Sequence, residues 1–259
     1  KEPDLVMHGG GNTSCKTVMK DLHGQNLNVL CVKGSGWDLG TIQAPGLPAV
    51  RLAPLLDLRN LDALSDEDMV NVQLANLLDQ SAPNPSVETL LHAFLPHKFI
   101  DHTHATPFLS LANLPDSDAI MREVFGQTLA VVPYVKPGFA LAKLAAQVAE
   151  ENPEAEGLLL LKHGHFTWGT DAKSSYDRVI AHTNLIEEWF AQHRESKQYP
   201  SSQPAKPANN NYIDLIASAF SQVNAAGDTS FILDVVRDPS LVKQMDLHIV
   251  NGVTDRGVA

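Results

Sequence analysis

The chain has 259 residues, 44% hydrophobic and 19% charged, enough to bury a full core and too apolar for a disordered segment. Thirty acidic against nineteen basic residues give a net charge of −11, which repels phosphate backbones and sets nucleic acid aside as a partner. No run approaches the roughly 18 apolar residues of a membrane helix. In chain order, Asn28 to Lys33 is a short apolar run entering the turn Gly34-Ser35-Gly36, as a buried strand followed by a loop would be. Asp66 to Leu78 carries apolar residues at helical spacing behind Ser65, an N-cap with Asp68 three residues on. A second helix is expected to start at Ser86 and end at Pro96, with Val87, Leu90, Leu91, Phe94 and Leu95 on its inner face.

Lys98 to Thr106 reads as a strand, Pro137 to Glu151 as an Ala-rich helix and Gly157 to Lys162 as a buried strand. Ala172 to Arg194 reads as a long helix with Val179, Ile180, Leu185, Ile186, Trp189 and Phe190 inward. Strands alternating with helices indicate an α/β domain over residues 1–194. Residues 195–211, ESKQYPSSQPAKPANNN, have the composition of a linker, and 212–259 form a small C-terminal extension, marginal as an independent fold. The two cysteines, Cys15 and Cys31, have no metal or redox spacing, and Lys1 to His8 supplies no apolar signal segment, so a cytoplasmic protein is expected.

Eleven histidines are many for this chain, and they gather. His102 and His104 are two apart, which on a strand sends both imidazoles to one face. His163 follows the run Leu158 to Leu161 at a strand end, where α/β proteins place ligand sites. Three such histidines give zinc three nitrogens and leave positions open, the pattern of a catalytic site. His165, beyond Gly164, competes with His163 for the third place, and spacing does not choose between them. His92, His97, His182 and His193 read as surface or satisfied core residues. Glu88 is the carboxylate best placed for acid/base work, in the first turn of the Ser86 helix where the dipole favours a negative charge. Three turns, at Gly9 to Ser14, Gly34 to Gly36 and Pro85-Ser86, offer backbone N–H groups and hydroxyls to an anion.

The ordered words Gly10-Gly11-Asn12-Thr13-Ser14, Lys33-Gly34-Ser35-Gly36, Pro85-Ser86-Val87-Glu88, Asp101-His102-Thr103-His104, Pro133-Tyr134 and Lys162-His163-Gly164 resemble the class II aldolase/adducin family over residues 5 to 193. The narrower words HGGGNTS, VKGSG, PSVETLLHAFLP, DHTHA and KHGHFTWG are similar to the aldolase half of fused rhamnulose-1-phosphate aldolase/short-chain dehydrogenase proteins. The resemblance implies a three-layer αβα fold with a central sheet and a zinc-dependent aldolase that cleaves a ketose or ketose 1-phosphate through a zinc-stabilised enediolate. It implies His102, His104 and His163 as metal ligands, Glu88 as acid/base, and Gly11, Asn12, Ser35, Gly36 and Ser86 as anion-binding loops, with Lys33 adding charge. Tyr134 matches a tyrosine that reaches a neighbouring subunit's site to exchange a proton with the aldehyde oxygen, which implies a homo-oligomer, expected to be a tetramer. Val87 departs from the family pattern, because phosphate aldolases commonly carry a second hydroxyl there. No Gly-rich dinucleotide fingerprint occurs in the 259 residues, so no NAD site is expected in them.

Three rivals remain at this level. Sugar-phosphate epimerases of the same family use the same parts. An amidohydrolase also places His-x-His on a strand end, but usually on the first strand of an eight-unit barrel, whereas two helices precede this pair. An adducin-like interaction module has no need of three histidines around one Glu.

Overall fold

A computed structural model describes residues 5, 6 and 10–193. The linker and the C-terminal extension expected from the sequence, and residues 7–9 of the first Gly-rich run, lie outside the described residues. Chain order is β1 (Asn12–Lys20), β2 (Asn26–Val32), β3 (Ala49–Arg51), α1 (Leu52–Asp57), α2 (Asp66–Ala75), α3 (Thr89–Phe94) and β4 (Phe99–Thr103). Then follow α4 (Thr106–Ala112), α5 (Ser117–Phe125), β5 (Leu129–Val132), α6 (Phe139–Glu151), β6 (Gly157–Leu160), β7 (Gly164–Gly169) and α7 (Ala172–His193).

The strands form one sheet in the order β3-β2-β1-β4-β7-β6-β5, with β5 and β6 its parallel pair and the rest antiparallel. Helices cover both faces. Period-2 alternation sorts the side chains between two cores: Leu158 and Leu160 of β6 pack with α3 and α6 residues such as Leu90, Phe94 and Ala142, while Leu159 packs with Phe108, Phe125, Val179 and Ile186 of α4, α5 and α7. This is the three-layer αβα arrangement. Among the described residues no helix is long and apolar enough to cross a membrane.

Several elements differ from their sequence reading. Ser65 caps α2 as expected, its hydroxyl accepting from the Asp68 N–H at 3.0 Å, but the helix stops at Ala75 because Leu77 pairs with Val50 in an isolated bridge. The Ser86 helix begins three residues late, at Thr89, and Val87 faces solvent instead of the core. Glu88 therefore stands just before a six-residue helix, too short for its dipole to be what holds the carboxylate. The strand from Lys98 ends at Thr103, since Pro107 fits the first turn of a helix and α4 starts at Thr106. On α7, Val179 and Ile186 are buried as expected and Ile180, Trp189 and Phe190 pack at the margin. Leu185 is exposed, and His182 and Thr183 take the inner face.

Candidate metal centre

Strand register builds the site. His102 of β4 pairs with Asn12 of β1 on one side and with Phe166 of β7 on the other, and Thr103 pairs with His165. Paired residues share a face, so Asn12, Ser14, Ile100, His102 and Phe166 look toward α3, while Thr103 and His165 look toward α4 and α7. The His102 and His104 Nε2 atoms lie 2.9 Å apart, and His163 enters from the turn between β6 and β7. One nitrogen from each of the three lies within 4.8 Å of the others, a set able to hold a divalent metal.

His165 is not one of them. Its ring stacks on Phe108 at 4.0 Å between centroids, and its Nε2 lies 3.0 Å from His182 Nδ1 on the opposite face of the sheet. His182 Nε2 is 3.6 Å from the Glu156 carboxylate. The backbone of His165 does serve the site: its carbonyl accepts the His102 Nδ1–H at 3.0 Å, which leaves the lone pair of His102 on Nε2, facing the cluster. His102 also stacks on Phe166 at 4.1 Å, so its ring plane is fixed twice.

Glu88 reaches into the same space, Oε2 at 3.3 Å from His102 Nε2 and Oε1 at 2.9 Å from His163 Nε2. Burial pushes its pKa up, but His102, His163 and the Asn12 amide together outweigh that and hold the carboxyl well below the usual range. Burial lowers the pKa of both His102 and His104. Glu88 Oε2 and His102 Nε2, the nitrogen left facing the cluster, lie 3.3 Å apart, a pair that needs a shared proton or a cation between them. A cation resolves that arrangement. Gly164 leaves the room: a Cβ there would come within 2.8 Å of His102 Cε1, 2.9 Å of His104 Cδ2 and 2.7 Å of the Thr103 carbonyl. Donor type, fixed tautomer, lone-pair crowding and this bare backbone all fit a divalent ion.

The small-residue turns converge beside the cluster. Gly34 bridges Pro85, Ser35 N–H donates to Asn84 O at 2.7 Å, and Ser86 N–H donates to Lys33 O at 3.1 Å. Those two amides, expected to be open to an anion, are thus taken up by the chain itself. Asn12 opens β1 instead of sitting in a loop, and its Nδ2 donates to Ser86 Oγ at 3.0 Å and Glu88 Oε2 at 2.7 Å. Gly11 and Gly36 have φ of +65° and +82°, and a Cβ at Gly11 would meet the His102 carbonyl at 2.6 Å. Lys33 is buried, and burial lowers its pKa. Tyr134 follows β5 and is 57% exposed. His92, read from the sequence as a surface or satisfied core residue, lies in the site's buried wall with Ser14 Oγ at 2.7 Å from its Nδ1 and Asn12 Oδ1 against its Nε2.

This chain belongs to the Class II Aldolase and Adducin N-terminal domain family, whose model matches residues 1–190. The N-terminal class II aldolase domain of a conserved protein from Thermoplasma acidophilum superposes with a TM-score of 0.69 at 40% identity, covering 73% of this chain and 87% of that one. YuxG of Bacillus subtilis, an uncharacterized oxidoreductase, is 40% identical over 182 residues, 70% of this chain. The match covers 26% of YuxG, so the chain corresponds to about a quarter of that relative's length. The methylthioribulose-1-phosphate dehydratase of Pseudomonas savastanoi pv. phaseolicola is 26% identical over 175 residues, 60% of this chain and 86% of the dehydratase.

Proposed function

We propose that the chain is a cytoplasmic metal-dependent class II aldolase that cleaves a ketose or ketose 1-phosphate reversibly, with a rhamnulose-1-phosphate type of substrate. The observation that carries this is the Glu88 carboxylate, buried and held ionised with one oxygen toward each of two cluster histidines. A structural metal site has no use for such a group, whereas a carbon acid needs a base beside the cation.

His102, His104 and His163 would hold the ion, with zinc the natural choice for three imidazoles. When bound, it supplies a Lewis acid for the negative charge that develops as the C–C bond breaks, worth several kcal/mol. The chain's own residues do the rest. In the cleavage direction the hydroxyl on the far side of the breaking bond gives up its proton and becomes the aldehyde oxygen, and Tyr134 of a neighbouring subunit is suited to take that proton. Tyr134 passes a proton on through solvent to Glu88, which delivers it to the carbon that has lost its partner; in the synthesis direction the ionised Glu88 withdraws that proton and the same relay runs backward. Exposure of Tyr134 agrees with its being lent across an interface, as in a homotetramer.

The converging turns at Gly11-Asn12, Lys33 to Gly36 and Ser86 would bind the substrate's anionic end, with Lys33 countering its charge. The amides already bonded at Ser35 and Ser86, and Val87 in place of a hydroxyl, make this a leaner anion site than three open turns would give. A second reading comes from the dehydratase relative: the same base, drawing a proton from a ketose 1-phosphate, can expel water instead of an aldehyde. Incubating the zinc-loaded protein with ketoses and their 1-phosphates separates the two. Release of an aldehyde supports the aldolase, a dehydrated diketone supports the second reading, and no turnover of any member with zinc present overturns both.

A further inference from the structure

Glu88 has a second-tier partner, and the chemistry of each atom dictates the next. Asn12 Nδ2 lies 2.7 Å from Glu88 Oε2 and 3.0 Å from Ser86 Oγ, so the amide turns its N–H groups toward those two oxygens. The Asn12 oxygen therefore points the other way, against His92 Nε2. That oxygen cannot donate, so His92 carries its proton on Nε2. Its Nδ1 is then a bare lone pair, and the Ser14 hydroxyl 2.7 Å away donates to it. Ser14, His92, Asn12 and Glu88 form one directed chain in which a single arrangement of protons satisfies each contact.

The fold holds that chain rigidly. Asn12 and Ser14 are alternate residues of β1, so both side chains face α3, and His92 lies on α3 between them. The His92 ring is fully buried and packs on Phe166 with centroids 5.3 Å apart, the same phenylalanine that His102 stacks on. Burial lowers the His92 pKa to about 3, so it stays neutral and keeps a single proton to place.

We propose that His92 is a positioning residue: by donating from Nε2 it prevents the Asn12 amide from turning over, and so keeps an N–H, never a carbonyl, against the Glu88 carboxylate. With the amide reversed, an oxygen would face the carboxylate and push it from the cluster. The role of Glu88 rests on the function proposed above, but the orientation of the chain does not.

The test has two arms on the full chain. In uniformly 15N-labelled protein, long-range proton–nitrogen correlation reads the His92 tautomer directly. A neutral ring protonated on Nε2 from pH 5 to 8 is expected, and a ring protonated on Nδ1, or a charged ring, in that range overturns the inference whatever the protein catalyses. In the second arm, His92→Leu removes the donor and His92→Gln keeps an N–H near the Nε2 position. His92→Leu is expected to lower kcat roughly 10- to 100-fold, the loss of one hydrogen bond's control over a charged group, with KM and bound zinc near wild type. His92→Gln should recover most of that loss. Wild-type kcat in His92→Leu overturns the proposal, as does a folded His92→Gln no better than His92→Leu. If His92→Leu does not fold, His92→Phe replaces it as a buried ring without a donor: kcat should fall by the same roughly 10- to 100-fold, and wild-type kcat in it overturns the proposal. Should the wild type turn over no ketose, the function proposed above fails, and the tautomer arm still decides the orientation.

Discussion

Gly164→Ala is the smallest change that should damage the candidate metal centre without touching a ligand. The new methyl would lie 2.8 Å from His102 Cε1 and 2.9 Å from His104 Cδ2, where ordinary contact begins near 3.4 Å, and 2.7 Å from the Thr103 carbonyl. The carbonyl belongs to β4 and cannot retreat, and His102 is pinned by Phe166 and the His165 carbonyl. Relief must come from displacing the imidazoles by about half an ångström, the tolerance within which a site of this kind works. Overpacking of this sort costs about 1–3 kcal/mol of stability, and disturbing the support of a metal ligand costs roughly 10- to 100-fold in affinity. Gly126→Ala is the control: its φ of +56° strains an added side chain, but nothing lies within 4 Å. Zinc affinity from competition with a chromogenic chelator, beside thermal melting with and without zinc, should show both variants destabilised and Gly164→Ala alone impaired in binding. Wild-type zinc affinity in Gly164→Ala would refute the reasoning that the bare backbone makes room for the ligand rings.

Glu88→Gln should keep its zinc and lose roughly 10²–10⁴-fold in turnover; unchanged turnover assigns the base elsewhere. His102→Ala should lose zinc on dialysis while circular dichroism retains the fold, because the two hydrophobic cores are built from other residues; full zinc retention would remove His102 from the ligand set. The His92 pKa near 3 lies below the roughly 6.5 of an unfolded histidine, so between those values the unfolded chain binds more protons. Stability contributed by the neutral ring is present above pH 6.5 and lost as pH falls toward 3, with a slope of up to about 1.4 kcal/mol per pH unit. Urea melts of His92→Gln should show a shallower acid decline than wild type, and identical slopes would contradict it. Tyr134→Phe should lower turnover without changing the oligomer seen by light scattering, and an active wild-type monomer would rule out a site shared between subunits.

What could be read from the sequence depended on how local the signal was. His102 and His104 were legible because a two-residue step in extended chain puts both rings on one side, although β4 ends at Thr103 and holds only His102. Helix α2 was legible because Ser65 and Asp68 make their cap within one turn. Strand β1 was hidden: its first residues, Asn12 to Ser14, follow glycines and are polar, so they read as a loop, and only pairing with β4 makes them a strand. The late start of α3 was hidden for a related reason. Ser86 has the side chain of a cap, but its backbone N–H is bonded to Lys33, 53 positions earlier by number, and that tertiary contact keeps Ser86 to Glu88 out of the helix.

The choice between His163 and His165 shows what alternation can decide once a strand is known to exist. From Gly164 onward β7 alternates Gly164, Phe166 and Trp168 on one face with His165 and Thr167 on the other. Stacking of His102 on Phe166 fixes the first set as the face of the cluster, so His165 must point away, and His163 is free of the alternation because it lies in the turn. The two histidines therefore divide the work of one site. His163 presents its ring to the cluster, while His165 contributes its backbone carbonyl to His102 and anchors its ring in the opposite core through His182. A candidate ligand set of one strand position, one just past that strand's end and one turn position needs a residue without a side chain at the join, and Gly164 is that residue. The KHGHFTWG word is thus one physical unit, each residue from His163 to Phe166 fixed by a different demand of the same cluster.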